Sequence, residues 1–451
     1  MPIDHTHEAT LRSWVDAAND PASDFPIQSL PLARVEEADE GEGAPGWAVV
    51  IGDRCVLLGE LIDDGFFDDG PDRLGLDLLA TECEQGRGPT LSRENARFVR
   101  DRLSRALRAG AAEGLRRAVE GAMVPSKDVR FLTPGAMQGY TDFYASVHHA
   151  STVGAMFRPD NPLLPNYKHV PIGYHGRASS IVPTGTPVRR PMGQQSPPED
   201  NPGAGPAFGP CKMLDYELEV GCVIGLHNDL GTSVPVSRAM EHVVGLCLVN
   251  DWSARDIQKW EYQPLGPFLA KNFATSVSAV IVTLDALAPF RCPAYARPAG
   301  DPAPLPYLAD ASDQQAGGFA LTLEVAIQSA QMAERGLAPH VVCRSDAFKD
   351  MYWTFAQMVA HHTSNGCNLR PGDLLASGTV RGREPGTRGC LLEATWDGPG
   401  KPRKPIELPS GEKRAFLADG DTVIMRGWAE REGYRRIGLG ECRGTVLPAS
   451  G

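Results

Sequence analysis

Between residues 212 and 220 the chain reads Lys-Met-Leu-Asp-Tyr-Glu-Leu-Glu-Val, a run in which apolar and acidic side chains alternate. On a β-strand, Leu214, Tyr216, Leu218 and Val220 would take one face and Asp215, Glu217 and Glu219 the other. Neighbouring carboxylates on such a face stand about 6 to 7 Å apart and repel by roughly 2 to 3 kcal/mol per pair at an effective dielectric near 20. Positive charge is required beside them. Further on, Asn250-Asp251-Trp252-Ser253-Ala254-Arg255 follows an apolar run, 246–249, that reads as a strand end. Asp251 stands where a helix N-cap is preferred, and a helix from there would set Asp251, Arg255, Gln258 and Tyr262 on one side. Asp215, Glu217, Glu219 and Asp251 offer hard oxygen ligands, which suit Mg²⁺, Ca²⁺ or Mn²⁺ and not zinc. The competing reading is a solvated acidic strand face with an N-capping aspartate.

The stretch 140–149, Tyr-Thr-Asp-Phe-Tyr-Ala-Ser-Val-His-His, adds a further acid, Asp142, and two histidines. Asp142 precedes His149 by seven residues, so one can bind an ion while the other faces a substrate held beside it. An isolated histidine is more often structural. That reading is preferred for His361 and His362, at the end of an expected helix, where imidazolium complements the dipole. Lys271, after the apolar turn 262–269, is either a surface lysine or a charge set against developing negative charge, and Arg158 and Arg177 pose the same choice.

These residues must be positioned by a chain of 451 residues with 42% hydrophobic composition, enough for two or three domains and a large core. Hairpin strands are expected at 47–51 and 55–58, helices at 93–108 and 111–123, and a domain boundary between 124 and 135. The division is then 1–134 and 135–451. Beyond it, short apolar runs at 222–224, 279–282 and 319–323 imply a mostly β second domain, interrupted by one helix at 345–362. Later strands are expected at 374–380, 390–396 and 420–425, with Glu393 facing opposite to Leu392 and Ala394. The Pro- and Gly-rich stretches 187–210 and 293–318 read as covers or surface excursions, and 24–31 as a segment that packs.

The net charge of -12 comes without a basic stripe, so nucleic acid is not an expected partner. No apolar run reaches the roughly eighteen residues of a membrane span, and the first residues lack a signal-peptide pattern; a cytoplasmic location is expected. The 10 cysteines, Cys83 among them, are scattered and read as reduced thiols.

Several stretches together resemble the fumarylacetoacetases of the fumarylacetoacetate hydrolase superfamily. They are Asp-Phe-Pro-Ile-Gln-Ser-Leu-Pro (24–31), Tyr-Thr-Asp-Phe-Tyr (140–144), Met-Phe-Arg (156–158), Gly-Tyr-His-Gly-Arg (173–177), Leu-Asp-Tyr-Glu-Leu-Glu (214–219), Asn-Asp-Trp-Ser-Ala-Arg-Asp-Ile-Gln (250–258), Pro-Leu-Gly-Pro-Phe-Leu (264–269) and the run 365–379. The acid-bearing stretches belong to the whole superfamily, whereas 24–31 and 173–177 look specific to fumarylacetoacetases. The resemblance implies a mostly β fold with some α, a small SH3-like N-terminal domain followed by a large C-terminal β-roll domain, in a cytoplasmic homodimer. It implies hydrolysis of the small diketo acid 4-fumarylacetoacetate to fumarate and acetoacetate, the last step of tyrosine and phenylalanine breakdown. By the same likeness Asp142, Glu217, Glu219 and Asp251 hold Mg²⁺ and/or Ca²⁺, with Asp251, Lys271 and Thr275 at magnesium-associated positions. Tyr144, Arg158, Tyr174, Gln258, Tyr262 and Thr379 contact substrate. His149 is the base, Glu393 orients it, and Arg255, Gln258 and Lys271 stabilise the oxyanion. The chain departs from the pattern at His148, where a non-titrating polar residue is expected, and at Asn272, where a smaller one is. The rival readings are an acylpyruvate hydrolase or a 2-oxo acid decarboxylase or hydratase of the same superfamily, and a non-catalytic metal-stabilised binding protein.

Overall fold

A computed structural model describes residues 2–38, 45–70, 92–135, 137–198 and 201–450. The architecture is the mostly β, partly α fold implied by the sequence: a small β segment with helices, then a large β region. The hairpin Gly46–Ile51 and Arg54–Leu57 forms as expected, and its turn needs Gly52, whose φ is +54° and whose Cβ would stand 2.6 Å from the Ala18 amide nitrogen. Helices Arg93–Leu107 and Glu113–Gly121 follow. The apolar side of the longer one buries Ala96, Val99, Leu103 and Leu107. The segment 24–31 packs, with Ile27 and Leu30 buried.

Among the described residues the hairpin continues into a 13-stranded sheet. Its central path runs from Leu32–Glu37 to Val280–Thr283, then Val243–Asp251, Leu218–Ile224, Leu374–Ala376, Tyr140–Phe143 and Gly173–His175. Leu32 pairs with Ile281 and Ala33 with Val280, so backbone hydrogen bonds cross from the N-terminal segment into the later sheet. A 5-stranded sheet built on Leu321–Gln328, Thr422–Ala429 and Ile437–Leu447 packs nearby. Strands buried on both faces explain the continuous apolar runs such as 243–249.

Five expectations are corrected. The alternating run is not one strand: Leu214–Asp215 pairs with Ser253–Ala254, Leu218–Ile224 pairs with Val243–Asp251, and between them the Tyr216 and Glu217 amides turn to the side chains of Asp215 and Asn250. Asp251 is no helix cap but the last residue of its strand, paired with Thr275. The buried Trp252, whose indole donates to Ser276, and the short strand Ser253–Ala254 delay the helix to Arg255–Glu261. The helix expected over 345–362 covers only Phe355–Thr363, because Thr354 and Gln357 form a capping box that fixes its start, while His340–Ser345 is a strand. The strand expected over 390–396 is a short helix, Leu391–Ala394, for a reason given below. The strand expected over 374–380 ends at Ala376, since Gly378 takes φ +76° where a side chain would strike the Phe143 carbonyl.

The stretch 187–210 contains the paired strands Met192–Gln195 and Ala207–Pro210, and its residues 199–200 lie outside the described residues. The stretch 293–318 contains the helix Ala311–Ala316. The described cysteines are free thiols, and Cys83 lies outside the described residues. Among the described residues no helix is long and apolar enough to cross a membrane.

Candidate active site

Three strands of the central sheet deliver the acids. Tyr140–Phe143 carries Asp142, Leu218–Ile224 carries Glu219 with Glu217 just before it, and Val243–Asp251 ends in Asp251 beside Thr275. One carboxylate oxygen from each of Asp142, Glu217, Glu219 and Asp251 lies within 4.8 Å of all the others, and all four side chains are buried. The solvated acidic face is thereby excluded. Asp215 does not join them. It turns away to accept from the backbone amides of Leu391 and Leu392 at 2.8 and 2.9 Å and from the Arg255 guanidinium at 3.0 Å. Those two amides are the free N–H groups of the helix Leu391–Ala394, which explains why residues 390–396 do not extend.

The positive charge required by the acidic run is supplied by two buried cations. Lys271 Nζ donates to Glu217 at 2.5 Å and to Asp251 at 2.6 Å. Arg255 reaches Glu217 at 2.7 Å and Gln258 at 3.2 Å as well as Asp215. Burial alone would raise the Glu217 carboxyl, yet the Lys271 and Arg255 charges hold it down at about 2. Lys271 is kept an ammonium because Asp251 and Glu217 outweigh its burial. Asp142 and Glu219 are different: burial and the neighbouring carboxylates push both well above the usual carboxylate range.

Both carboxylate oxygens of Glu219 and Oδ1 of Asp142 are buried without a hydrogen-bond partner. Orphaned anionic oxygens that converge from different strands fit a metal ion, and an all-oxygen set fits a hard dication. The cluster can hold a metal ion. Thr275 and Tyr174 complete its surroundings, donating to Asp251 at 3.1 and 2.5 Å. Burial, then Asp251, raises the Tyr174 hydroxyl well above its ordinary value, so it stays a donor.

Beside the cluster lies the second constellation. Ser146 caps the helix Val147–Phe157 and sets His149 in its first turn, where Nδ1 meets Glu393 Oε2 at 2.5 Å. Both side chains are buried, and the Tyr144 ring stands edge-on to the imidazole at 5.3 Å. His148 is only half-buried, with Arg383, Arg381, Asp350 and Glu393 among its charged neighbours, and it is His149 whose ring bonds Glu393. Thr379 is buried just beyond Gly378, and Tyr262 ends the helix that carries Arg255 and Gln258. Arg158 is half-buried and donates to the Pro162 carbonyl at 3.3 Å. Arg177 is exposed, and its guanidinium donates to its neighbour Ser179 at 2.7 Å. His361 and His362 sit in the last turn of their helix, bonded to Tyr307 and Thr141, but burial lowers both below the ordinary imidazole value and so disfavours the imidazolium expected there.

A family model described as fumarylacetoacetate (FAA) hydrolase C-terminal matches residues 138–447. The chain belongs to the fumarylacetoacetate hydrolase family. Among its relatives, the fumarylacetoacetase of Bos taurus is 44% identical over 444 residues, covering 97% of this chain and 99% of the relative. The fumarylacetoacetase of Homo sapiens is 43% identical over 442 residues with the same coverage, and that of Arabidopsis thaliana is 43% identical over 451 residues, covering 98% of this chain and 99% of the relative. In this family member, two contributors to the site escaped the sequence reading. Asp215 was placed among the ligand candidates and instead anchors the helix of Glu393; the alternating pattern could not reveal the break that redirects it. Arg381, 3.3 Å from Glu393, had a faint signal in its position two residues after Thr379.

Proposed function

We propose that this protein is a hydrolase that cleaves the carbon–carbon bond of 4-fumarylacetoacetate to give fumarate and acetoacetate, the last step of tyrosine and phenylalanine breakdown. The observation that carries this reading is a buried imidazole–carboxylate pair, His149 and Glu393 at 2.5 Å, next to four converging carboxylates. Similarity that spans the N-terminal segment as well as the family region supports the fumarylacetoacetase assignment over other branches of the family.

The reaction adds water to the ketone carbonyl of the fumaryl group, which becomes the new carboxylate of fumarate, and breaks its bond to the central methylene, whose electron pair leaves as the enolate of acetoacetate. His149, oriented through Nδ1 by Glu393, takes the proton from water and returns one to the departing carbon. Arg255, Gln258 and Lys271 set positive charge and donors toward the oxyanion at the attacked carbonyl. Tyr144, Arg158, Tyr174, Gln258, Tyr262 and Thr379 line the substrate, with Arg158 facing a carboxylate. Asp142, Glu217, Glu219 and Asp251 hold Mg²⁺ and/or Ca²⁺, while Lys271 and Thr275 fix the oxygens of Asp251. Bound there, the ion supplies positive charge for the diketone oxygens and the leaving enolate. The same reading carries the division of the chain at 134/135, a homodimer and a cytoplasmic location.

Purified protein supplied with Mg²⁺ or Ca²⁺ is expected to consume fumarylacetoacetate, followed as loss of its ultraviolet absorbance. His149→Ala is expected to lower kcat by roughly two to four orders of magnitude while keeping fold and ion, and His148→Ala to remain active. A dead His148→Ala beside an active His149→Ala would show that the base is misassigned.

A further inference from the structure

Glu393 is buried with one oxygen, Oε2, committed to His149 and grazed by the Cys390 thiol at 3.5 Å. Its other oxygen, Oε1, receives no hydrogen bond among the described residues. The charged group that faces it is Arg381, whose Nε stands 3.3 Å away and whose side chain is 12% exposed. The same guanidinium reaches the other side of the pair. Its second nitrogen donates to the backbone carbonyl of His148 at 2.6 Å and to the hydroxyl of Thr152, both on the helix that carries His149. Ser146, the cap of that helix, donates back to the Arg381 carbonyl at 3.3 Å. Arg381 is itself tied down, since the preceding Val380 amide bonds Leu218 at the edge of the acid cluster.

We infer that Arg381 is a positioning residue for the reaction: one guanidinium clamps the base-bearing helix to the carboxylate that orients the base, and sets a fixed positive charge against the second oxygen of that carboxylate. The inference rests on the assignment of His149 and Glu393 made above. A carboxylate buried with an unpaired oxygen is costly, and a fixed cation beside that oxygen offsets the cost without competing for the imidazole. The groups facing the pair are Arg381, Cys390 and Tyr144, with Arg388, His148 and Cys343 near Glu393 and Glu217 near His149. Arg388 reaches the Glu393 backbone carbonyl at 2.9 Å, whereas Arg381 faces the carboxylate oxygen Oε1, so removing Arg381 takes away the cation set against that oxygen.

The test uses the full chain with its divalent ion and compares R381Q, R381K and E393Q by the pH dependence of kcat and by KM. R381Q is expected to lose kcat by about tenfold or more with KM changed by less than about twofold, and the acid limb of its kcat profile moves to higher pH. R381K, which keeps the charge but cannot span both partners, recovers part of kcat and leaves the limb at its wild-type position. A limb that stays put in R381Q, or equal losses in both variants with no movement, overturns the inference, because a merely structural arginine would act that way. If R381Q alone does not fold, R381Q/E393Q, which removes both charges, is compared with E393Q. Equal kcat in those two supports the coupling and a further loss overturns it. An inactive wild-type enzyme sinks the assignment of the pair itself, whereas an active wild type with unaffected R381Q sinks only the role of Arg381.

Discussion

Asp142 and Glu219 are raised from ordinary values of 3.8 and 4.5 by burial first and by neighbouring carboxylates second. A carboxyl raised on folding binds a proton in the folded chain over a pH window where the unfolded chain has lost it. The metal-free fold is therefore stabilised at low pH and gives up that stability as pH rises through the raised values. A dication reverses the trend by favouring the ionised forms. Chelation is accordingly expected to lower the melting temperature more above neutral pH than in the ordinary carboxylate range, and calorimetric titration with Mg²⁺ or Ca²⁺ in two buffers of different ionisation enthalpy is expected to report released protons. Equal destabilisation at both pH values, or no proton release, would contradict it. Much at this scale was legible in the sequence: the residue types at 142, 217, 219 and 251 offer hard oxygen ligands, and the structure brings them together. The pairing of His149 with Glu393 followed from the family resemblance and not from local pattern, because that contact spans a sequence separation of 244.

At the scale of elements, the helix Leu391–Ala394 is only four residues long and cannot stand on its own propensity. Its start is held by the Asp215 carboxylate, which also neutralises Arg255. Asp215→Asn keeps the shape but removes the charge, leaving a buried guanidinium short of a partner. The expected cost is about 3 kcal/mol or more, read as a lower denaturation midpoint, together with reduced kcat because Glu393 rides on that helix. Unchanged stability in this variant would mean that Glu217 alone satisfies Arg255. The apolar-rich stretch 390–396 looks like a strand by composition, and local periodicity carries no information about a carboxylate arriving from residue 215. The same limit explains the helix that begins at Arg255 instead of after Asp251: a buried tryptophan hydrogen-bonded to Ser276 outweighs a good capping residue.

Across the whole molecule, the N-terminal segment is bound into the catalytic sheet. Beyond the pairing of Leu32 and Ala33 with Ile281 and Val280, Arg97 meets Asp285 at 2.9 Å and His7 bonds the Asp285 carbonyl at 2.7 Å. Within the segment, the buried Arg100 gathers the carbonyls of Gln28 and Ser29 at 2.6 and 2.7 Å, so the stretch 24–31 serves as a fixed support. A chain started at residue 135 would bare the edge of Val280–Thr283 together with its apolar face. Such a fragment is expected to lose soluble yield relative to the full chain expressed in parallel; a soluble, active fragment would refute this coupling.

The sequence by itself determined the chemistry available: acids with hard oxygens, a histidine among them, two cations to balance them, and apolar runs that had to become buried strands. Those are properties of residue type and short spacing, which local physics fixes. Only the tertiary structure decided that residues 142, 217, 219 and 251 share one 4.8 Å space while Asp215 leaves it, and that an arginine links the two partners of the imidazole pair. Such meetings follow from pairing every buried strand and satisfying every buried charge at once, a condition imposed by the whole sheet and carried by no single stretch of it.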